Sequence, residues 1–236
     1  MRAGPLRLQQ ISRRRGRCQV TCRVSRYDLA VVTEFKALIL DFGEVLARPQ
    51  SAASIKAMAD LAGLETEEFL ERYWRHRPDY DAGRLSGTAY WQRVLSNSES
   101  EATIDALKAA DAASWMDFRE DVWELAARFK SEQGRTALLS NGVPEVMGRV
   151  RAERTLSDYF DEVVISYEVG CIKPEARIYE LCLSALGVPA LSALFVDDRR
   201  ENLDAAEQLG LQVFQFTGDS SVAELKKTIR DNRGCG

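Results

Sequence analysis

Short runs of consecutive apolar residues alternate along the chain with longer stretches in which apolar positions recur every three or four residues. The runs "FKALIL" (35–40), "TALL" (136–139), "VVI" (163–165), "ALFV" (193–196) and "VFQF" (213–216) read as buried strands. Between them, Val122, Leu125, Ala126 and Phe129 fall at i, i+3, i+4 and i+7, as do Ile178, Leu181, Cys182 and Ala185, so both segments read as amphipathic helices. Gly187, followed by Pro189, stops the second. This alternation predicts an α/β fold, a doubly wound and mostly parallel sheet with helices on both faces.

One interval breaks the rhythm. About 95 residues separate the first strand run from the second, whereas a crossover needs only about a dozen. Residues 50–118 hold "ASIKAMADLAGL", "TEEFLERYWRHR" behind Thr66 as N-cap, "SGTAYWQRVL" and "TIDALKAADAA", all helical and none strand-like. The expected division is a core of residues 35–48 and 118–236, with a small α-helical domain at 49–117 looped out of the first crossover. Hinges are expected near Arg48-Pro49 and between Ser114 and Asp117.

Charge changes the picture at the amino end. The 236 residues carry 32 Lys plus Arg against 36 Asp plus Glu, but residues 1–27 contain eight Arg and no acid, so the remainder is 24 basic against 36 acidic. Residues 1–34 read as a disordered Arg-rich extension, and the acidic body argues against a nucleic-acid partner. No apolar run approaches the roughly 20 residues needed to cross a bilayer, and no signal-peptide core is visible, so a cytoplasmic protein without membrane contact is expected. The five cysteines, Cys18, Cys22, Cys171, Cys182 and Cys235, form no CxxC pair and read as reduced thiols. A single histidine, His76, excludes a His-rich zinc site. Chemistry therefore falls to carboxylates, Lys and Ser.

Ligands of open parallel sheets bind beyond the carboxyl ends of the strands. The residues placed there are Asp41, Ser140-Asn141 and Asp197-Asp198, with Lys173 in the loop "GCIKPEARIY" after the third strand. Adjacent acids repel each other unless a cation neutralises them, and oxygen ligands suit Mg²⁺. Carboxylate, cation, ammonium and hydroxyl together are equipment for phosphoryl transfer.

Four segments in order, "LILDFGEVL", "LLSNG", Lys173 before Pro174 and "LFVDDRRENLDAAEQLG", resemble the motifs of the haloacid dehalogenase (HAD) superfamily, and the helical insertion resembles its type 1 cap. The resemblance implies an Mg²⁺-dependent phosphatase acting on a small phosphorylated metabolite through an aspartyl-phosphate. Asp41 would be the nucleophile, Ser140 and the Asn141 backbone would hold phosphoryl oxygens, and Lys173 would offset the negative charge. The metal would be bound by Asp41, the Gly43 carbonyl and Asp198, with Asp197 in its outer shell. Where the common pattern has a second Asp as general acid and base, this chain has Gly43; Glu44 is adjacent. A sugar-phosphatase branch looks similar here, which makes a sugar phosphate the narrower expectation. The alternatives are a metal-independent 2-haloacid dehalogenase and a non-catalytic binding or regulatory protein on the same scaffold.

Other residues receive plainer readings. Asn202 is expected to support the loop before its helix. His76 is expected to be solvated or to pack, and Cys171 to be a buried thiol without a catalytic role. Tyr73, Trp74, Tyr80, Tyr90 and Trp91 read as the core of the helical insertion, with Arg75, Arg77 and Trp91 as residues that could line its underside and select substrate.

Overall fold

The computed structural model describes residues 34–95 and 100–232. The reading of residues 1–34 as an extension lies outside these apart from Glu34, as do Cys18, Cys22 and Cys235. Five strands, β1 (Ala37–Leu40), β2 (Arg135–Ser140), β3 (Glu162–Ile165), β4 (Ala193–Asp197) and β5 (Gln212–Gln215), form one sheet. Its order is β3-β2-β1-β4-β5 and every pairing is parallel. Each strand lies within two residues of its expected position. β1 is central and wholly buried, with Ala37, Leu38, Ile39 and Leu40 all at 0% exposure. Its apolar run is continuous rather than alternating because helices cover both faces.

The helices are α1 (Ala52–Leu61), α2 (Thr66–Arg75), α3 (Arg77–Asp81), α4 (Gly87–Leu95), α5 (Glu101–Ser114), α6 (Glu120–Glu132), α7 (Pro144–Glu153), α8 (Ser166–Val169), α9 (Ala176–Leu186), α10 (Arg200–Gln208) and α11 (Ser221–Asp231). Side chains on one face of β1, including Leu38 and Leu40, pack with α6, α7 and the inserted helices, while Ala37 and Ile39 pack with α9 and α10. The alternation of a strand thus divides the core between two layers. Gly187 ends α9 in the left-handed conformation, φ 67°, as its place in the sequence requires. Thr66 is a correction: it is the first helical residue of α2, and Glu65, extended at φ −65° and ψ 148°, is the N-cap without a side-chain capping bond.

The five helices α1 to α5 form the excursion between β1 and α6. Its outgoing and returning connectors lie side by side. Ala47 bridges Phe118 in antiparallel fashion, Arg48 N–H donates to the Asp117 carbonyl at 2.7 Å and Arg119 N–H to the Leu46 carbonyl at 2.9 Å. Trp123 Nε1 donates to the same Leu46 carbonyl at 3.0 Å. Inside the excursion Tyr73, Tyr80, Tyr90 and Trp91 are buried as expected, and Tyr80 and Tyr90 stack with centroids 4.5 Å apart. Trp74 does not join them: it is 50% exposed.

The excursion rests on the sheet domain through polar contacts. Tyr80 Oη donates to the Glu145 carboxylate at the start of α7, and Ser166 Oγ at the start of α8 donates to the Asp81 carbonyl. Gly83, at φ 71°, passes so near the Tyr167 carbonyl that a Cβ would lie 2.9 Å from it. Both conformation and space restrict that position to glycine.

Candidate active site

Parallel register brings distant residues to one sheet edge. Leu40 pairs with Leu138 on one side and Val196 on the other, so Asp41, one residue further, stands level with Leu139 and Asp197, and Ser140 ends the adjacent strand. Asp41 N–H still donates to the Val196 carbonyl at 3.0 Å, and only then does the chain leave the sheet. It leaves through a distorted turn, Phe42–Leu46, in which Gly43 is extended at ψ 134° and Glu44 is left-handed at φ 57°. A left-handed non-glycine residue costs about 1–3 kcal/mol and is kept where surrounding contacts fix it. Here Phe42, Val45 and Leu46 on either side are buried.

Lys173 ties the site together. Its ammonium donates to Asp41 Oδ1 and Asp197 Oδ2, each at 2.7 Å, and to the Leu139 carbonyl at 3.0 Å. Its three protons are thereby used. The lysine loop is held by Asn141, which accepts from Lys173 N–H at 2.8 Å and donates to the Lys173 carbonyl at 2.9 Å. Asp197 is saturated: its other oxygen accepts from Arg199 N–H and from Asn202 Nδ2, both at 2.9 Å. Asn202 thus supports the loop as expected. Asp198 has no cationic partner within salt-bridge distance among the described residues.

The electrostatics follow. Burial is the largest influence on Asp41 and outweighs the adjacent Lys173; with further repulsion from Asp197 and Asp198, its carboxyl is pushed up to about 8. Burial and then Asp197 and Glu44 push Asp198 up to about 6. Lys173 is driven down by burial but further up by Asp197 and Asp41, so it stays an ammonium. Asp41, Asp197 and Asp198 each offer an oxygen within 4.8 Å of the others. An all-oxygen set with one carboxylate lacking a cation, and two held above their ordinary range, fits a hard divalent ion.

These groups floor an open cleft whose lining includes Asp41, Gly43, Glu44, Ser140, Asn141, Lys173 and Asp198. Ser140 is 2% exposed, and its hydroxyl has no protein partner among the described residues. All the expected site residues therefore meet here, with Asp197 directly behind the lining. Gly43 leaves the place of a second carboxylate open toward Trp115, whose ring would lie 3.6 Å from an added Cβ.

The roof of the cleft corrects the sequence reading. Trp91 is fully buried and Arg75 pairs with Glu71 outside the cleft. Arg77 does line the cleft, but so do Trp74, Asp81 and Trp115. Arg77 is itself buried and bonded to Asp81 at 2.8 Å, Asp111 at 3.3 Å and Tyr73 Oη. Arg199 was likewise unmarked in the sequence. Cys171 is buried and free, burial pushes its thiol up, and it is absent from the cleft; His76 is half-buried at the end of α2.

Residues 35–210 match the sequence profile of haloacid dehalogenase-like hydrolases. The chain belongs to that family. Among its relatives, a D-ribitol-5-phosphate phosphatase from Bacteroides thetaiotaomicron is 25% identical over 194 residues, covering 76% of this chain and 91% of the relative. A sesquiterpene phosphatase from Aspergillus oryzae is 27% identical over 202 residues, covering 84% and 98%. In fold, the chain is similar to a HAD family enzyme from B. thetaiotaomicron solved with magnesium and inorganic phosphate, at a TM-score of 0.69 and 19% identity over 81% of this chain and 98% of that one. Among the described residues of this HAD-like hydrolase, no helix is long and apolar enough to cross a membrane.

Proposed function

We propose that this HAD-like hydrolase is an Mg²⁺-dependent phosphatase that cleaves a small organic monophosphate in the cytoplasm through an aspartyl-phosphate on Asp41. A phosphorylated sugar or polyol is the narrower substrate class, and the D-ribitol-5-phosphate phosphatase relative supports it. The observation that carries the reading is the cluster in which Lys173 bridges the buried Asp41 and Asp197, with Asp198 beside them, at the floor of an open cleft.

Asp41 Oδ1 is anchored by Phe42 N–H at 2.6 Å and by Lys173, which fixes the carboxylate and presents it for in-line attack on phosphorus. Mg²⁺ held by Asp41, Asp198 and the Gly43 carbonyl would supply positive charge to the phosphoryl oxygens and keep Asp41 ionised. Asp197, saturated by Lys173, Arg199 N–H and Asn202, positions the lysine rather than reaching substrate. Ser140 Oγ, buried at the floor, donates to a phosphoryl oxygen. Attack by Asp41 breaks the bond to the leaving-group oxygen, and water then hydrolyses the aspartyl-phosphate to return the carboxylate and release phosphate. With no side chain at Gly43, proton transfer falls to Glu44 on the cleft wall or to solvent.

The test is phosphate release from a panel of sugar phosphates, nucleotides and phosphorylated acids. Turnover should vanish in Asp41→Asn and in EDTA, and Mg²⁺ should restore it to the native protein. Turnover of haloacids that persists in EDTA would replace this reading with dehalogenation. Absence of Asp41-dependent phosphate release across the panel would leave a binding protein on the same scaffold.

A further inference from the structure

The cleft is crowded with negative charge, and its cations are already engaged. Lys173 serves Asp41 and Asp197, and Arg77 serves Asp81 and Asp111. Arg199 pairs with Glu201. Counting the lining together with Asp111 and Asp197 directly behind it gives six carboxylates (Asp41, Glu44, Asp81, Asp111, Asp197, Asp198) against three cations (Arg77, Lys173, Arg199). A divalent ion removes two of the three excess charges, and the phosphoryl dianion adds two. A further anionic group on the substrate would enter a field of its own sign, where each cation of the lining is already ion-paired.

The roof is also shaped for something other than charge. Four large apolar side chains are exposed among the described residues, Leu61, Trp74, Leu181 and Leu191, and of these only Trp74 lines the cleft. Its indole stands edge-on to the buried Tyr73, centroids 4.9 Å apart, and the Arg77 guanidinium lies 6.0 Å from its ring, so the side chain is held on two sides with half its surface bare. Beside it the ion-paired Arg77 and Asp81 present a donor and an acceptor in fixed relation. Such a pair hydrogen-bonds hydroxyls without changing the charge count.

On the phosphatase and sugar-phosphate reading above, we infer that Trp74 selects the substrate: the polyhydroxylated leaving group stacks an apolar C–H face on its indole while Arg77 and Asp81 read its hydroxyls. Monophosphates that carry a second acid are rejected by the uncompensated carboxylates. Trp74 is a specificity residue of the roof, and it acts on the body of the substrate rather than on the phosphoryl group.

The experiment compares kcat/KM for a hexose 6-phosphate, phosphoserine and acetyl phosphate, the last having no body to stack, in native protein, Trp74→Ala and Trp74→Phe. The native protein should prefer the hexose phosphate to phosphoserine by at least about tenfold. In Trp74→Ala the ratio of hexose phosphate to acetyl phosphate should fall roughly threefold to tenfold, the range expected for one aromatic stacking contact, and Trp74→Phe should recover most of it. Equal use of phosphoserine, or a ratio unchanged in Trp74→Ala, overturns the inference while the phosphatase reading stands. Failure of the native protein to hydrolyse even acetyl phosphate overturns the phosphatase reading, and the inference with it.

Discussion

Lys173→Met removes the one ammonium in the buried cluster while keeping most of the side-chain volume. The native side chain is 1% exposed and donates to two carboxylates at 2.7 Å and to a carbonyl at 3.0 Å. Removing one partner of a buried pair typically costs about 3–5 kcal/mol, and the orphaned Leu139 carbonyl adds about 1 kcal/mol. Asp41 offsets part of this by taking up a proton, since its carboxyl is held near 8 even with the lysine present. The net expected loss at pH 7 in EDTA is therefore about 3 kcal/mol. Urea unfolding should show it as a lower midpoint with an unchanged slope. The loss should grow as pH rises above 8, because Asp41 then ionises in the native protein and needs the cation that the variant lacks. Mg²⁺ should stabilise the variant more than the native protein, since it supplies the charge that was removed, yet phosphate release should stay lost. A loss under about 1 kcal/mol in EDTA, or equal Mg²⁺ stabilisation of both proteins, would refute the view that these carboxylates depend on Lys173.

The same cluster sets a pH dependence in the native protein. Burial pushes the Asp41 carboxyl up to about 8 in the folded protein against 3.8 for a free side chain, so between these values the folded state binds the proton more tightly. Stability in EDTA should then be greatest near pH 4 and decline toward pH 8, by at most about 1.4 kcal/mol per pH unit; Asp198, near 6, acts in the same sense in the lower half of the window. Thermal melts should show the decline, saturating Mg²⁺ should flatten it, and Asp41→Asn should remove most of it; a melting temperature that rises across the window in EDTA would contradict the account. Gly43→Asp places a Cβ at an ordinary 3.6 Å from the Trp115 ring, so the residue fits, and steady-state kinetics should show at least about tenfold faster hydrolysis of alkyl phosphates if proton transfer limits the native protein. Trp91→Ala should lose about 3–5 kcal/mol in urea unfolding, because the ring is fully buried, while the order of preference among substrates is kept.

The fold was legible because its inner strands β1, β2 and β4 are buried on both faces, although the edge strand β5, also expected to be buried, is not. A continuous apolar run followed by an acid, as in Ala37 to Asp41, has few readings other than a central parallel strand ending at a ligand edge. The site followed from the same logic, since parallel register does the gathering: once β1 lies between β2 and β4, Asp41, Ser140 and Asp197 have nowhere else to be. The resemblance implies a division of labour between the adjacent acids; in the structure Asp197 fills its bonds with Lys173, Arg199 N–H and Asn202, while Asp198 lines the cleft. The clamp by which Asn141 holds both polar groups of the Lys173 backbone was not legible. It joins residues 32 apart in the chain through a loop with no periodicity to announce it.

The roof shows where periodicity stops being informative. Tyr73, Trp74 and Arg77 lie within one helical turn or so of each other, and the pattern of apolar residues alone assigns both aromatics to the core. Helix geometry puts residues i and i+4 on one face and turns i+1 about 100° away. Burying Tyr73 at the centre of the insertion therefore turns Trp74, the next residue of α2, outward, while Arg77 at the start of α3 bonds Tyr73 Oη on the buried side, where its charge is answered by Asp81 and Asp111. Whether an outward face meets bulk water or the mouth of a site is decided by where the excursion docks, through Tyr80 to Glu145 and Asp81 to Ser166. Those contacts join segments 65 and 85 residues apart. The floor of the cleft is fixed by strand register and could be read locally, whereas its roof depends on one docking geometry between the helical excursion and the sheet domain. Substitutions at that docking surface should therefore shift substrate preference more readily than they shift the chemistry on Asp41.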